Sequence, residues 1–147
     1  MARKVFISIL GTGFYGKCKY VKDEFCSSET RFAQKAALEH IKANEWNSDD
    51  ACFIFTTERA CKENWDIVER KNTLINEVIK YTGLKTLLER MNLPFKPENE
   101  MIPDGKDENE MWDIFNIIYN KLQDDDELYV DLTHSFRYLP MLLLVLS

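Results

Sequence analysis

Two short stretches of this chain hold residue types suited to gripping an anion. The first is Gly11-Thr12-Gly13-Phe14-Tyr15-Gly16-Lys17. Glycines let backbone N–H groups approach a ligand closely, and the Thr12 and Tyr15 hydroxyls and the Lys17 ammonium stand beside them. The second is Asp131-Leu132-Thr133-His134-Ser135-Phe136-Arg137, where a strand pattern runs through Thr-His-Ser toward a helix start. A helix N-terminus presents unpaired N–H groups and the positive end of its dipole, which favours phosphate. Arg137 adds forked donors that match phosphate oxygens. Ser135 can cap the helix or touch the ligand. A histidine's unperturbed pKa lies near neutrality, so His134 can serve as a general base, but a structural hydrogen bonder is the preferred reading. Asp131, at the strand end, is read as structural, fixing nearby backbone or Thr133.

The first stretch literally matches GxGxxG. A dinucleotide fingerprint also needs its third glycine to open a helix, and an acidic residue about 20 positions on at the end of the second strand. The residues after Gly16 do not look helical before about Ser28, and the second strand pattern ends much later, at Thr56-Thr57-Glu58. A dinucleotide-binding Rossmann enzyme using NAD therefore stays only as a rival reading. A tight turn with no ligand is the plain alternative for Gly11 and Gly13. Glu58 reads as solvated surface before ribose contact, and Trp46, Trp65 and Trp112 as core packing before adenine stacking. Tyr15 can stack on a base or pack its own loop, and both stay open. Asp107 to Glu110 reads as a helix cap and Asp124-Asp125-Asp126 as a solvated turn. Neither suggests a metal site, and no cofactor is expected.

The elements that must position these stretches follow from apolar patterning. Val5 to Leu10 is a nearly continuous β-branched and aromatic run, as in a strand buried on both faces. Lys17 to Phe25 reads as a short hairpin or edge strand. Ser27-Ser28-Glu29-Thr30 offers helix caps before an amphipathic helix over 30–43. Ala51 to Phe55 is a second buried strand. Apolar residues at 67, 68, 74, 75, 78 and 79 predict a helix from Trp65 to Tyr81 that Gly83 ends. Leu84 to Met91 is a short helical piece, and Phe95 to Ile102 holds a third strand. Asp107 and Glu110 form a capping-box pattern for a helix over 108–122, with Met111, Trp112, Phe115, Ile118 and Leu122 on its apolar face. Glu127 to Leu132 is a fourth strand, and a further helix follows, with Pro140 in its first turn. This alternation predicts an α/β fold: a Rossmann-like open parallel sheet with helices on both faces. In Rossmann order the first and fourth strands are neighbours, which sets the two anion-gripping stretches across one crevice at the carboxyl ends of the strands.

Composition bounds the function. The 147 residues fit one domain, and 45% hydrophobic with 30% charged residues is a globular profile. A net charge of −6 gives no general attraction to duplex nucleic acid. Cys18, Cys26, Cys52 and Cys61 form no CxxC pair and read as reduced thiols in a cytoplasmic protein. The apolar start at Val5 is too short for a signal peptide, and no run approaches the roughly 20 apolar residues of a membrane span. The apolar end, Met141 to Leu146, leads us to expect the N-terminal part of a longer protein.

Asp131-Leu132-Thr133-His134-Ser135, continued by Phe136-Arg137-Tyr138-Leu139-Pro140 and preceded by a first strand running into Gly11-Thr12-Gly13, resembles the DxTHG-motif proteins of CRISPR systems. These contain the CRISPR-associated Rossmann fold, or CARF, domain. The resemblance runs from Lys4 to Leu146, and its specific part is residues 131–140. Ser135 stands where the motif has glycine, so a ligand backbone approaches less closely there. The resemblance implies a homodimer that binds a cyclic oligoadenylate at its two-fold interface and controls an attached effector, often a HEPN ribonuclease, in type III antiviral defence. A symmetric ring suits an interface to which each subunit offers the same loops. The positions that match are Gly11, Thr12 and Gly13 after the first strand, and Thr133, His134, Ser135 and Arg137 after the motif strand. No RxxxxH effector signature occurs in the chain, so residues 1–147 are expected to be the sensing domain, with any effector beyond. Some CARF domains also cleave their ligand without metal, the ribose 2′-OH attacking the adjacent phosphate. For that ring-nuclease alternative, Thr12, Lys17, Ser135 and Arg137 are the residues at hand.

Overall fold

The computed structural model describes residues 3–11, 19–66, 69–72, 77–80 and 82–131. In chain order the strands are β1 (Lys4–Leu10), β2 (Val21–Lys22), β3 (Phe25–Cys26), β4 (Ala51–Thr56), β5 (Glu69–Asn72), β6 (Glu77–Lys80), β7 (Glu98–Met101) and β8 (Glu127–Asp131). The helices are α1 (Ala33–His40), α2 (Glu58–Ala60), α3 (Leu84–Glu89) and α4 (Glu108–Lys121). A single 3-10 turn, Ala43–Glu45, follows α1, and a π-helical turn, Cys61–Trp65, continues α2.

Among the described residues the main sheet has four strands in the order β7-β4-β1-β8, and every pairing is parallel. β1 lies in the middle, with Val5 opposite Ala51 on one side and Leu128 on the other. Its side chains alternate between the two faces, as a strand requires. Phe6 and Leu10 join Cys52, Ile54, Phe32, Leu38, Trp46, Trp65, Leu84 and Leu88 in one cluster, under α1 and α3. Val5, Ile7 and Ile9 join Phe53, Phe55, Ile102, Ile114 and Ile118 in the other, under α4. Helices thus cover both faces, as the near-continuous apolar runs of β1 and β4 predict. Each large side chain buried this way contributes about 1.5–3 kcal/mol of transfer free energy.

Local rules account for several boundaries. Asp107 caps α4, its carboxylate accepting from the Glu110 N–H at 2.8 Å. The reciprocal half of the box is displaced: the Glu110 carboxylate accepts from the Gly105 and Lys106 N–H groups at 3.1 and 3.2 Å. The hairpin expected near Lys17 to Phe25 is β2–β3, with Val21 opposite Cys26.

Four expectations change. The helix predicted from Trp65 to Tyr81 does not form: helical winding stops at Trp65, and β5 and β6 pair antiparallel, Glu69 opposite Lys80. In β6, Val78 and Ile79 are β-branched, and such residues lose side-chain freedom in a helix but fit a strand. Gly83 ends no helix. It is the N-cap of α3, with extended backbone at φ −67° and ψ 162°. No side chain from the Ser27 to Thr30 set caps α1. Phe32 is the cap residue, and its N–H donates to Thr30 Oγ1 at 3.2 Å. On α4, Ile114 and Ile118 are the buried pair, while Trp112 is 52% exposed. Trp112 and Ile114 lie about 200° apart around a helix of 3.6 residues per turn, so they cannot share a face. Trp46 and Trp65 do pack in the core, as expected.

No helix among the described residues is long and apolar enough to cross a membrane. Nor do those residues hold a group of three or more His, Cys, Asp or Glu side chains placed for a metal ion.

Candidate functional site at the carboxyl ends of the strands

β1 and β8 end side by side, with Ser8 opposite Asp131. Ser8 is fully buried, and its hydroxyl donates to Asp131 Oδ2 at 3.0 Å. A buried hydroxyl needs a partner, and a carboxylate makes that bond stronger than a neutral one. Asp131 therefore ties the end of β8 to β1 through the Ser8 hydroxyl; Thr133, one of the partners expected for it, lies outside the described residues.

The other strand ends are tied by amides. Asn64, 1% exposed, donates from Nδ2 to the Gly11 carbonyl at 2.6 Å, immediately after β1. Gln34, fully buried in the first turn of α1, donates from Nε2 to the Ile9 carbonyl at 3.4 Å. Asn99 of β7 donates to Thr56 Oγ1 at 2.8 Å and to the Ile54 carbonyl at 3.1 Å, joining β7 to β4. Thr57 then caps α2, accepting from the Ala60 N–H at 3.2 Å. The carboxyl edge of the sheet is thus a braced platform.

Of the candidate site residues, Gly11 stands on this platform, half-buried, with its carbonyl held by Asn64. Thr12, Gly13, Tyr15, Lys17, Thr133, His134, Ser135 and Arg137 lie outside the described residues. The roots of both stretches, Gly11 and Asp131, come together on adjacent strands, as the Rossmann order requires. Glu58 sits on α2 with a mostly exposed side chain, 3.3 Å from Lys62 Nζ, which is the solvated role preferred for it.

The two buried cysteines are not poised as nucleophiles. Burial pushes the Cys61 thiol above its ordinary value, and the Asp66 carboxylate, 3.4 Å away, adds to the shift. Toward the other end of the sheet, at the start of β4, burial pushes the Cys52 thiol up, with Glu98 adding to it. Both stay protonated near neutral pH, consistent with inert structural thiols.

Sequence reading missed four members of the platform. Ser8 was detectable, because a polar residue amid Val5 to Leu10 needs a buried partner. Asn64 and Asn99 give no such signal, since each lies among other polar residues, and Gln34 stands beside Lys35 in a helix pattern where a polar residue is ordinarily solvated. Nor does the dinucleotide fingerprint fit the geometry. The β2–β3 hairpin stands between Gly11 and α1, which begins only at Ala33.

An open parallel sheet in this order, with its loops leaving a braced carboxyl edge, defines a Rossmann-like α/β domain. The family model described as the CARF domain of the CRISPR system endoribonuclease Csx1 matches residues 5–147, and the chain belongs to that family. It is also similar to a curated protein, CRISPR-associated protein MJ1674 of Methanocaldococcus jannaschii, with 40% identity over 50 residues. That stretch covers 32% of this chain and 8% of the relative.

Proposed function

We propose that this domain binds a cyclic oligoadenylate across the carboxyl ends of β1 and β8, and does so as a two-fold dimer. It serves as the sensor of a type III CRISPR defence system, controlling an effector. The observation that carries this reading is the strand order. β1 and β8 are parallel neighbours whose ends are tied by Ser8 and Asp131, so Gly11 and Asp131, the residues from which the two stretches depart, follow or end neighbouring strands. A bound ring of phosphates then draws on backbone N–H groups of both stretches and on Lys17 and Arg137. Family membership supports the ligand class, because the ligand of such domains is a cyclic oligoadenylate by the resemblance already drawn.

The test mixes the purified chain with cyclic tri-, tetra- and hexa-adenylate and with NAD, measures binding, and looks for linear products by chromatography. Binding of a ring without products supports the sensor, and linear products support a ring nuclease. Binding of NAD with no ring bound overturns the proposal. Arg137→Ala should weaken ring binding by about tenfold or more, since a charge-assisted contact to phosphate contributes roughly 1.5–3 kcal/mol. Unchanged affinity removes Arg137 from the site.

A further inference from the structure

We propose that the pocket between the β2–β3 hairpin, α1 and the end of β8 is a base subsite: it takes an adenine of the ring, with the exocyclic amine turned to Asp131. The inference deepens the ligand reading above and rests on it. The pocket holds about 180 Å³, less than the roughly 300 Å³ at which sites for whole drug-sized ligands begin. It therefore admits one flat ring system and not a whole nucleotide. Its walls suit such a ring. Ala33, Ala36 and Ala37 line it from α1, at the spacing that puts residues on a common face. Three methyl groups in succession leave a flat wall where longer side chains would fill the space. Phe25 of the hairpin and His40, in the last turn of α1, line it as well, their rings tilted at 59° with centroids 4.8 Å apart. Aromatic rings and methyl groups are the surfaces against which a heterocycle packs.

Charge decides which part of a nucleotide enters. Asp131 lines the same pocket, and its carboxylate repels phosphate but accepts from an N–H. It already accepts from Ser8, and a carboxylate offers about four acceptor sites, so a further donor can be served. The pocket thus favours an uncharged ring that carries an amine, with the phosphates outside. Asp131 is also the last residue of β8, which sets the pocket at the carboxyl edge of the sheet, where the ring is proposed to lie. Inosine carries a carbonyl oxygen in place of the adenosine amine and would turn one acceptor toward another. A site paired to an amine rejects such an analogue, because its own polar group is left unpaired.

Two experiments on the full chain test the subsite. In the first, alanine-methyl resonances are followed while adenosine, guanosine and inosine are titrated in separately. Adenosine should shift the methyls of Ala33, Ala36 and Ala37 more than either other nucleoside does. No shift of these methyls, or a larger shift with guanosine or inosine, overturns the inference. In the second, affinity is measured for cyclic tri-, tetra- and hexa-adenylate and for the same rings built from inosine. The inosine rings should bind about tenfold or more weakly. Asp131→Asn keeps an oxygen for Ser8 and adds an amide donor, so it should bring the two kinds of ring to within about threefold. Ala37→Leu fills the pocket from a half-buried position and should weaken the adenine ring by about tenfold. Equal binding of adenine and inosine rings by the unaltered chain, or an undiminished preference in Asp131→Asn, overturns the subsite and leaves the ring reading intact. If no ring binds but adenosine shifts the three methyls as expected, the ring reading fails and the base pocket stands.

Discussion

The Arg3 guanidinium grips Asp126 twice, Nε to Oδ1 at 3.2 Å and Nη2 to Oδ2 at 2.8 Å, and Nη2 also donates to the Lys121 carbonyl at 3.1 Å. One side chain thereby joins the start of β1 to the end of α4 and the turn before β8. Burial alone would raise the Asp126 carboxyl, but Arg3 and the Gln123 N–H outweigh it and hold the group below its ordinary value of 3.8. A carboxyl whose folded value is depressed stabilises the fold fully above its unfolded value, and the effect fades as pH falls through the folded value. Asp126→Asn should therefore cost roughly 1.5–3 kcal/mol near neutral pH, the range for hydrogen bonds to charged groups. The difference from the unaltered chain should shrink below about pH 4. Urea unfolding at pH 7 and pH 3 checks this, and an equal gap at both values would remove Asp126 from the account. Asp126 also shows what the sequence hides. Asp124-Asp125-Asp126 reads as a solvated turn, and nothing in it marks one of three aspartates as the partner of an arginine at the far end of the chain.

At the scale of elements, the parallel strands were legible and the segment after Trp65 was not. β1 and β4 declare themselves by dense β-branched and aromatic runs, which survive any context because both faces are buried. Residues 65–81 carry apolar spacing that fits a helix, and the β-branched content that argues for strands is read only as a weak preference. On α4 the element was right and the rotation was wrong, since Met111, Trp112 and Ile114 are all apolar and only packing selects among them. Trp112 instead meets Phe115 edge-on at 5.5 Å, and Phe115 stacks on Tyr119 at 6.1 Å, along the outer side of the helix. This rotation makes a sharp prediction. Ile114→Ala should destabilise the protein by about 2–5 kcal/mol, because it empties a packed site. Trp112→Ala should cost less than the buried substitution. Thermal unfolding of both variants decides it, and a larger loss for Trp112→Ala would reverse the assigned face.

At the scale of the molecule, strand order does most for function. The alternation of strands and helices in the sequence implied a parallel sheet, and the pairing of β1 with both β4 and β8 sets the roots of the two anion-gripping stretches on neighbouring strands. The chain carries a net charge of −6, so an anionic ring gains nothing from the overall field. On the proposed reading, its recognition would have to come from local donors: backbone N–H groups, Lys17 and Arg137. Two copies facing each other across a two-fold axis would double that set without adding a new residue type. The central claim is tested most directly by calorimetric titration of the purified chain with cyclic tri-, tetra- and hexa-adenylate. The account predicts saturable binding of at least one ring, at one ring per two chains. Absence of binding to all three rings would contradict it.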